Sequence, residues 1–282
     1  MKSLFSTLFL LAVGCTRPLQ DLTPSPPPKS AAPSTADSAP FPTGSIAGRV
    51  IWAGHTPDPQ PISGLISTGD GPPRWGQMPN HLAPKLDPES KGLANAVVHL
   101  KSCDPNLAKP WPHESLRIEQ RDRAISVKQG ARSARIGFVR IGEPFEMVSL
   151  DDDYQMLRAR GAGFFTLPFP EPNRPRTRTI DTAGRTEFTS AAGYFWSSAD
   201  VFSCDHPYYT TTDAAGRFAL DGVPPGAYTL VAWHRNWKLE HFERDPETGK
   251  IMRLLFAEPF RAERELKVER GRVEVEMNLS SR

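Results

Sequence analysis

Short alternating runs of apolar and polar residues, separated by Gly and Pro, extend through most of the chain after residue 43, without a long 3.6-residue period. The clearest run spans residues 208–234, where β-branched and aromatic residues precede two Gly-containing turns and two further alternating segments. A period of two predicts strands, and Gly or Pro between them predicts turns. Residues 208–234 therefore predict a three-stranded β-meander, and the pattern as a whole predicts an all-β protein.

The alternation of apolar and polar residues is clear in some other parts of the chain and absent from others. Residues 44–54 and 92–100 alternate apolar residues and predict two further strands, and residues 265–279 predict an alternating hairpin that closes a sandwich. Residues 57–91 are irregular and contain a Gly- and Pro-rich segment, so they predict a long surface loop. Residues 243–250 predict a polar loop.

The first 43 residues differ in composition from the rest. Residues 1–14 combine a basic start with a short apolar run, which predicts a secretion signal that is too short to span a bilayer. The small residues before Cys15 resemble a bacterial lipobox, in which cleavage leaves Cys15 as a lipid-carrying N-terminus; an ordinary signal peptide with an incidental cysteine is the alternative. Residues 15–43 are rich in Pro, Ser and Ala and predict a disordered linker.

These N-terminal features predict where the protein acts. They indicate an exported lipoprotein of the bacterial cell envelope, anchored to a membrane through its N-terminal lipid, and Thr16 favours the outer membrane on its periplasmic side by resemblance to sorting signals. Such a compartment is oxidising. Once Cys15 carries lipid, Cys103 and Cys204 remain as an even pair, so a disulfide between them is one expectation and two buried, packed thiols the other.

Net charge limits the class of partner. The chain has 34 basic and 32 acidic residues, a formal net charge of +2. No strong field therefore points to nucleic acid, and we do not expect nucleic acid as a partner. The expected partners are the membrane, through the lipid, and an unidentified protein or glycan ligand.

Three segments resemble parts of a known β-sandwich. Residues 213–228 follow the order D-x-x-G-x-F, strand, G-hydrophobic-P-P-G-x-Y, which is similar to the second half of the carboxypeptidase regulatory-like, or transthyretin-like, domain. Residues 44–54 and 92–100 resemble strands of its first half, the latter through Leu-Ala-Asn-Ala-Val-Val-His-Leu. This family performs varied functions, so the resemblance implies a fold more than an activity.

A second resemblance lies between these two halves. Residues 140–151, RIGEPFEMVSLD, resemble the approach to the metal site in cupredoxins, the plastocyanin-like copper proteins. Exported bacterial proteins are known in which a cupredoxin unit interrupts a regulatory-like domain. The resemblance implies two β-sandwiches, a split transthyretin-like domain and an inserted cupredoxin-like Greek-key sandwich. The expected domains are residues 1–14 (signal peptide), 15–43 (linker), 44–112 (first regulatory-like part), 113–203 (degenerate cupredoxin-like domain) and 204–282 (second regulatory-like part).

The cupredoxin resemblance allows a test for copper. A type 1 site uses two imidazoles, a thiolate and a weak axial ligand. Residues 151–158, where the first imidazole would lie, contain no His, and residues 189–197 contain no Cys, His or Met. Cys204 and His206 fall in the segment that in this family leads into the next domain. We therefore expect a scaffold without metal or cofactor, in which aromatic residues fill the space: Tyr194, Phe195 and Trp196.

Two charged segments could attract ligands. Three consecutive acidic residues, Asp151, Asp152 and Asp153, could attract Ca²⁺, but EF-hand spacing is absent and a solvated loop is expected. Four arginines predict an exposed edge strand protected by charge, with attraction to acidic glycans or lipid headgroups as the alternative: Arg174, Arg176, Arg178 and Arg185.

A binding surface is predicted after the meander. His234, Trp237 and His241 follow the last strand, and exposed aromatic residues on loops hold sugars or partners in some related sandwiches. Trp233 alternates inward along its strand and is expected in the core, whereas His99, among apolar strand residues, is expected to be packed or partly exposed.

The chain has no motif of a nucleophile elbow, a zinc protease or a nucleotide-binding loop. We therefore expect a non-catalytic, lipid-anchored envelope protein whose sandwiches serve binding or structural roles. The alternatives are a copper-binding electron-transfer protein, a carbohydrate-binding module, and a hydrolase whose two carboxylates face each other in a cleft.

Overall fold

The computed structural model describes residues 43–66, 72, 74–101 and 103–281. The predicted signal peptide, Cys15 and all of the predicted linker except Thr43 lie outside the described residues. Within those ranges, no helix is long and apolar enough to cross a bilayer.

The expected all-β class is confirmed. Apart from one 3₁₀ turn at Pro105–Leu107, every helix or strand in the described ranges is a β-strand. In chain order the strands are β1 (Gly44–Trp52), β2 (Ile62–Ile66), β3 (Arg74–Met78), β4 (Val97–Lys101), β5 (Leu116–Arg121), β6 (Ala124–Gln129), β7 (Arg132–Ala134), β8 (Ile136–Arg140), β9 (Phe145–Ser149), β10 (Gln155–Gly161), β11 (Phe165–Phe169), β12 (Arg176–Arg178), β13 (Gly184–Ser190), β14 (Ser198–Cys204), β15 (Tyr209–Thr211), β16 (Arg217–Val223), β17 (Gly226–His234), β18 (Leu239–Arg244), β19 (Ile251–Phe256), β20 (Phe260–Val268) and β21 (Gly271–Leu279).

Two sheets form a first sandwich around one core. Their strand orders are β16-β1-β21 and β15-β4-β17-β20. The core takes Ile46 from β1 and Met277 from β21 on one side, and Leu230 from β17 on the other. Alternation along these strands places apolar side chains on one face of each sheet, so burial of that face stabilises the pair.

A second sandwich has its own core. Its sheets have the strand orders β12-β9-β5-β6-β7 and β11-β10-β13-β14-β8. Ile118 of β5 and Met147 of β9 meet Leu157 of β10, Phe188 of β13 and Val201 of β14 in one buried cluster. Two separate apolar clusters therefore support two sandwiches.

The second sandwich interrupts the first along the chain. Strands β1 and β4 precede β5 to β14, and β15, β16, β17, β20 and β21 follow them. The expected fold of two sandwiches, one split by the other, is confirmed.

The predicted meander at residues 208–234 is wrong in its topology. Its three strands exist as β15, β16 and β17, but β15 and β17 both pair with β4, whereas β16 pairs with β1 in the opposite sheet. The hairpin predicted at residues 265–279 is wrong for the same reason, because β20 and β21 belong to opposite sheets. Gly-containing turns connect strands in both arrangements, so alternation does not distinguish a turn within a sheet from a crossing between sheets.

Residues 57–91 are not the irregular loop that was expected. They contain the hairpin β2–β3, and a second hairpin, β18–β19, packs near it. The two hairpins share a small apolar cluster, which we call the hairpin cluster: Ile62, Phe195, Ile251 and Leu254. The predicted polar loop at residues 243–250 includes the turn of β18–β19, where the Asp245 carboxylate accepts a hydrogen bond from the Thr248 amide at 2.7 Å.

Candidate functional site

A cleft with a volume of about 590 Å³ opens between the two sandwiches. The second sandwich contributes Arg135, Ser198 and Asp200 to its walls, and the end of β17 in the first sandwich contributes His234 and Arg235. This volume lies within the range of about 300–1,000 Å³ that is usual for ligand pockets. The cleft is therefore the main candidate site.

A buried ion pair joins the two sandwiches at this cleft. Asp200 of β14 is 4% exposed and accepts hydrogen bonds from Arg185 Nε at 2.7 Å and from Arg235 Nη2 and Nε at 2.6 and 2.9 Å. Burial alone would raise the pKa of Asp200, but Arg235 and Arg185 outweigh it and hold the pKa below its usual range. The carboxylate is thus ionised at neutral pH, and two guanidinium groups compensate its charge.

Glu187 of β13 extends the ion pair into a network. Its carboxylate lies 3.0 Å from Arg235 Nη1 and 3.0 Å from Arg253 Nη2, and Arg253 also contacts Glu243 at 3.2 Å. Burial would lower the pKa of Arg235, but Asp200 and Glu187 raise it above its usual value. Because Arg253 lies on β19, the network connects both sandwiches and the β18–β19 hairpin.

Ser198 and His81 form a polar contact beside this network. Ser198 Oγ and His81 Nε2 lie 3.3 Å apart, and His81 Nδ1 is buried without a hydrogen-bond partner in the described ranges. Burial, followed by the charges of Arg135 and Arg235, lowers the pKa of His81 to about 3. A general base works best with a pKa near the operating pH and with a group that orients it. The neutral His81 imidazole is therefore a weak base, and the pair serves better as a hydrogen-bonding wall.

The binding surface predicted at His234, Trp237 and His241 is not assembled. His234 is buried with Nδ1 2.7 Å from the Arg235 carbonyl oxygen, and burial lowers its pKa to about 4. Trp237 packs in the first core with its ring centre 4.9 Å from that of Trp52. His241 on β18 is exposed. The three side chains therefore do not form one exposed surface, although Trp237 also lines a second cavity of about 990 Å³. A binding role of this segment stays a prediction.

An aromatic cluster lies where the two sandwiches meet. The Trp233 ring centre is 5.2 Å from that of Phe202 in the second sandwich, and the Arg185 guanidinium lies 5.2 Å from the Trp233 ring. His99 of β4 stacks on Tyr209 with 4.7 Å between ring centres. His99 is packed and partly exposed, as expected. The prediction for Trp233 is wrong, because its side chain is only partly buried and faces the second sandwich and not the core of its own.

The expected disulfide is wrong, because Cys103 and Cys204 are both free thiols. Cys103 belongs to the core of the first sandwich, whereas Cys204 packs with Phe138 and Phe202 between the sandwiches. Burial raises the pKa of Cys103 to about 11 and raises the pKa of Cys204 as well. The alternative expectation, two buried thiols that pack, describes the structure.

Residues at the positions expected for copper ligands serve as packing and hydrogen-bonding groups. Gln155 is buried, and its Oε1 accepts a hydrogen bond from Gln120 Nε2 at 2.6 Å. Tyr194 donates to Asp153 Oδ2 at 3.3 Å, and Phe195 packs in the hairpin cluster. In the described ranges no group of three or more His, Cys, Asp or Glu side chains is placed to hold a metal ion. Amide, phenol and hydrocarbon groups do not fit a type 1 copper site.

The acidic segment at Asp151 is more than a solvated loop. The Asp151 carboxylate accepts hydrogen bonds from the backbone amides of Asp122 and Arg123 at 2.6 and 3.0 Å. Both of those residues have positive φ angles, 51° and 60°, so the carboxylate stabilises the tight turn between β5 and β6. Asp152 is exposed, as a solvated loop requires.

The predicted basic edge strand is confirmed in part. Strand β12 (Arg176–Arg178) is exposed and forms the edge of its sheet, pairing only with β9 among the described strands. Arg174 precedes it and pairs with Glu171 at 2.7 Å. Arg185 is wrongly placed in that group, because it lies on β13 and binds Asp200.

Sequence reasoning missed the main residues of the cleft. Asp200 is the informative case, since it is a carboxylate in an otherwise apolar and small-residue strand, all of whose residues are buried. A buried carboxylate requires a cationic partner, so the pattern alone could have indicated an ion pair. Arg235 and His81 gave no such signal, because they are distant in sequence and lie in segments without regular alternation.

Comparison with known proteins does not assign a function to this site. The chain matches no protein-family model and no curated protein. The two family resemblances accordingly remain proposals based on sequence motifs, and the site is interpreted from its geometry.

Proposed function

We propose that this protein is an exported, lipid-anchored envelope protein in which a split carboxypeptidase regulatory-like sandwich and a cupredoxin-like insert form one non-catalytic binding module. The cleft between the sandwiches carries this proposal, because residues of both sandwiches form its walls. The Asp200–Arg235 pair ties those walls together. A pre-organised cleft reduces the entropy lost when a ligand binds.

The charge states at the cleft favour binding over hydrolysis. A pair of carboxylates that hydrolyses a glycoside needs one member that holds a proton at the working pH. Asp200 is kept ionised by Arg235 and Arg185, and Glu187 is paired with Arg235 and Arg253. These carboxylates are therefore suited to holding the structure.

Anchoring is tested through Cys15. The basic and apolar start of the chain and the small residues before Cys15 support export and lipidation. We expect the full chain expressed in a Gram-negative host to enter the membrane fraction and to incorporate labelled palmitate. The Cys15→Ser variant should lose both properties. Equal membrane recovery of the two proteins without label would contradict the lipid anchor.

The binding role is tested by filling the cleft. Ser133 lines the cleft and is exposed, so Ser133→Trp should obstruct it without disturbing a core. We expect at least one member of a panel of neutral sugars, sugar acids, amino acids and inorganic anions to raise the melting temperature of the full chain. The same ligand should have no effect on Ser133→Trp. Thr177→Trp, on the exposed strand β12, is the matched control and should respond as the wild type does. The proposal would be contradicted if no compound of the panel stabilises the wild type, or if every stabilising compound acts equally on the wild type and on Ser133→Trp.

A further inference from the structure

Asp200, which lines the cleft, and Glu187, which lies next to it in the ion network, are already paired with arginines. Asp200 binds Arg185 and Arg235, and Glu187 binds Arg235 and Arg253. These contacts leave neither carboxylate without a cation. A further positive charge at the cleft therefore has neither of these carboxylates as a hydrogen-bonded partner of its own.

Two more cations line the same cleft, Arg135 and Lys85. Neither side chain has an ion pair or a hydrogen bond within the described ranges. The position of Arg135 is fixed by its backbone, because its carbonyl oxygen accepts a hydrogen bond from the Asp200 amide at 2.8 Å. Arg135 and Lys85 are both exposed residues. Partial burial of the Arg135 guanidinium in the cleft wall, followed by the charge of Arg235, lowers its pKa, whereas Asp200 raises it. Arg135 therefore lies in a region where an additional negative charge would be favourable.

The lowered pKa of His81 is consistent with a positive electrostatic potential in the cleft. After burial, the largest influences that lower its pKa are the charges of Arg135 and Arg235. Its imidazole is neutral at neutral pH, so it neither adds a charge nor competes for an anion. It keeps a hydrogen-bonding edge toward Ser198.

The remaining walls fit the uncharged part of a small molecule. Asn95, Ser126 and Ser133 offer amide and hydroxyl groups, whereas Ala94 and Ala134 offer small apolar surfaces. Pockets of this kind orient a ligand through a few polar groups within a largely apolar lining.

We propose that the cleft binds a small molecule that carries a carboxylate or a phosphate group, and that Arg135 and Lys85 hold this anionic group. The planar guanidinium of Arg135 can donate two parallel hydrogen bonds to such a group, and Lys85 adds a point charge. This inference rests on the proposed binding role of the cleft and specifies the chemistry of its ligand.

Isothermal titration of the full chain with three probes tests the inference. We expect glucuronate and glucose 6-phosphate to bind and neutral glucose not to bind. Their relative affinities distinguish a carboxylate ligand from a phosphate ligand, and rising salt should weaken both. Arg135→Gln should weaken binding about tenfold or more, because it removes a charge-assisted hydrogen bond. Arg135→Lys should recover part of that loss, and the exposed Arg176→Gln should bind as the wild type does.

The possible outcomes separate this inference from the binding role itself. In one outcome, glucose binds to the wild type and to Arg135→Gln with equal affinity but does not bind to Ser133→Trp. This result would overturn the inference that the ligand is anionic, and it would still support the cleft as a binding site. Failure of both anionic probes to bind at millimolar concentration would also overturn the inference. The urea unfolding midpoints of Arg135→Gln and Lys85→Gln are the control for folding. If they match the midpoint of the wild type, a loss of binding does not come from unfolding. Lys85→Gln should lose affinity about threefold or more.

Discussion

Asp200 is the single residue on which the junction between the sandwiches depends most. Replacing it by asparagine keeps the shape and removes the charge. The buried Arg235 would then lose its principal counter-charge, although Glu187 would still contact it. Breaking a buried pair by removing one partner costs about 3–5 kcal/mol. We expect Asp200→Asn to lower the free energy of unfolding by about that amount, measured by urea denaturation of the full chain.

The matched control for Asp200 is a surface ion pair. Lys267 and Glu269 lie 2.8 Å apart and are both exposed, so water and salt screen them. Lys267→Gln should leave the unfolding midpoint unchanged. An equally small effect of Asp200→Asn would show that the ion network does not stabilise the junction.

The two buried cysteines give a second prediction at the residue scale. Because Cys103 and Cys204 lie in different apolar clusters as free thiols, both should be alkylated when the protein is denatured without a reductant. Peptide mapping by mass spectrometry should find the label on each. A peptide pair joined through Cys103 and Cys204 in the unreduced sample would contradict this assignment.

At the scale of elements, the parallel pairing of β1 with β21 depends on a close approach at Gly48. A Cβ added there would lie 1.7 Å from the Val275 carbonyl oxygen, so the two strands would have to separate. Overpacking of this kind costs about 1–3 kcal/mol. We expect Gly48→Ala to lower the free energy of unfolding by at least that amount.

Gly54→Ala provides the control for Gly48. Its added Cβ would come no closer than 3.4 Å to another atom, at Trp52 Nε1, which is near an ordinary contact. This variant should unfold at nearly the wild-type urea concentration. Equal midpoints for Gly48→Ala and Gly54→Ala would show that β1 and β21 have room to move apart.

The limits of sequence reasoning are clearest in the strands. Alternation located β16 and β17 correctly because burial of one sheet face requires a period of two. It did not show that β16 pairs with β1 and β17 with β4, since pairing joins segments that are more than a hundred residues apart. The hairpin β2–β3 was missed because its residues show no regular alternation and its apolar contacts come from β19.

At the scale of the whole molecule, the candidate cleft was beyond the reach of sequence patterns. The resemblance of successive segments to two sandwich families was enough to predict two sandwiches, one inserted into the other. The cleft, however, depends on how their surfaces meet: it brings together His81, Asp200 and Arg235 from three separate segments. His234 and Trp237 were expected on an exposed loop, but His234 is the last residue of β17 and both side chains are buried. A site built at a junction of two sandwiches therefore requires the three-dimensional arrangement.

The same junction predicts how stability depends on pH. Burial lowers the pKa values of His81, His99 and His234 to about 3, 4 and 4, from a usual value of 6.5. Between about pH 6.5 and pH 4 the unfolded chain therefore binds more protons than the folded chain, so the free energy of unfolding falls as the pH falls. The slope can reach about 1.4 kcal/mol per pH unit for each histidine. Asp200, whose pKa is held below 3.8, adds a loss only at lower pH.

Urea denaturation at pH 7, 6 and 5 measures this slope. His234→Gln removes one buried imidazole and should make the decline from pH 7 to pH 5 shallower, even if it lowers stability at every pH. His241→Gln, on the exposed face of β18, is the surface control for this substitution. A wild-type stability that stays constant over this range would contradict the neutral state of the three histidines in the folded protein.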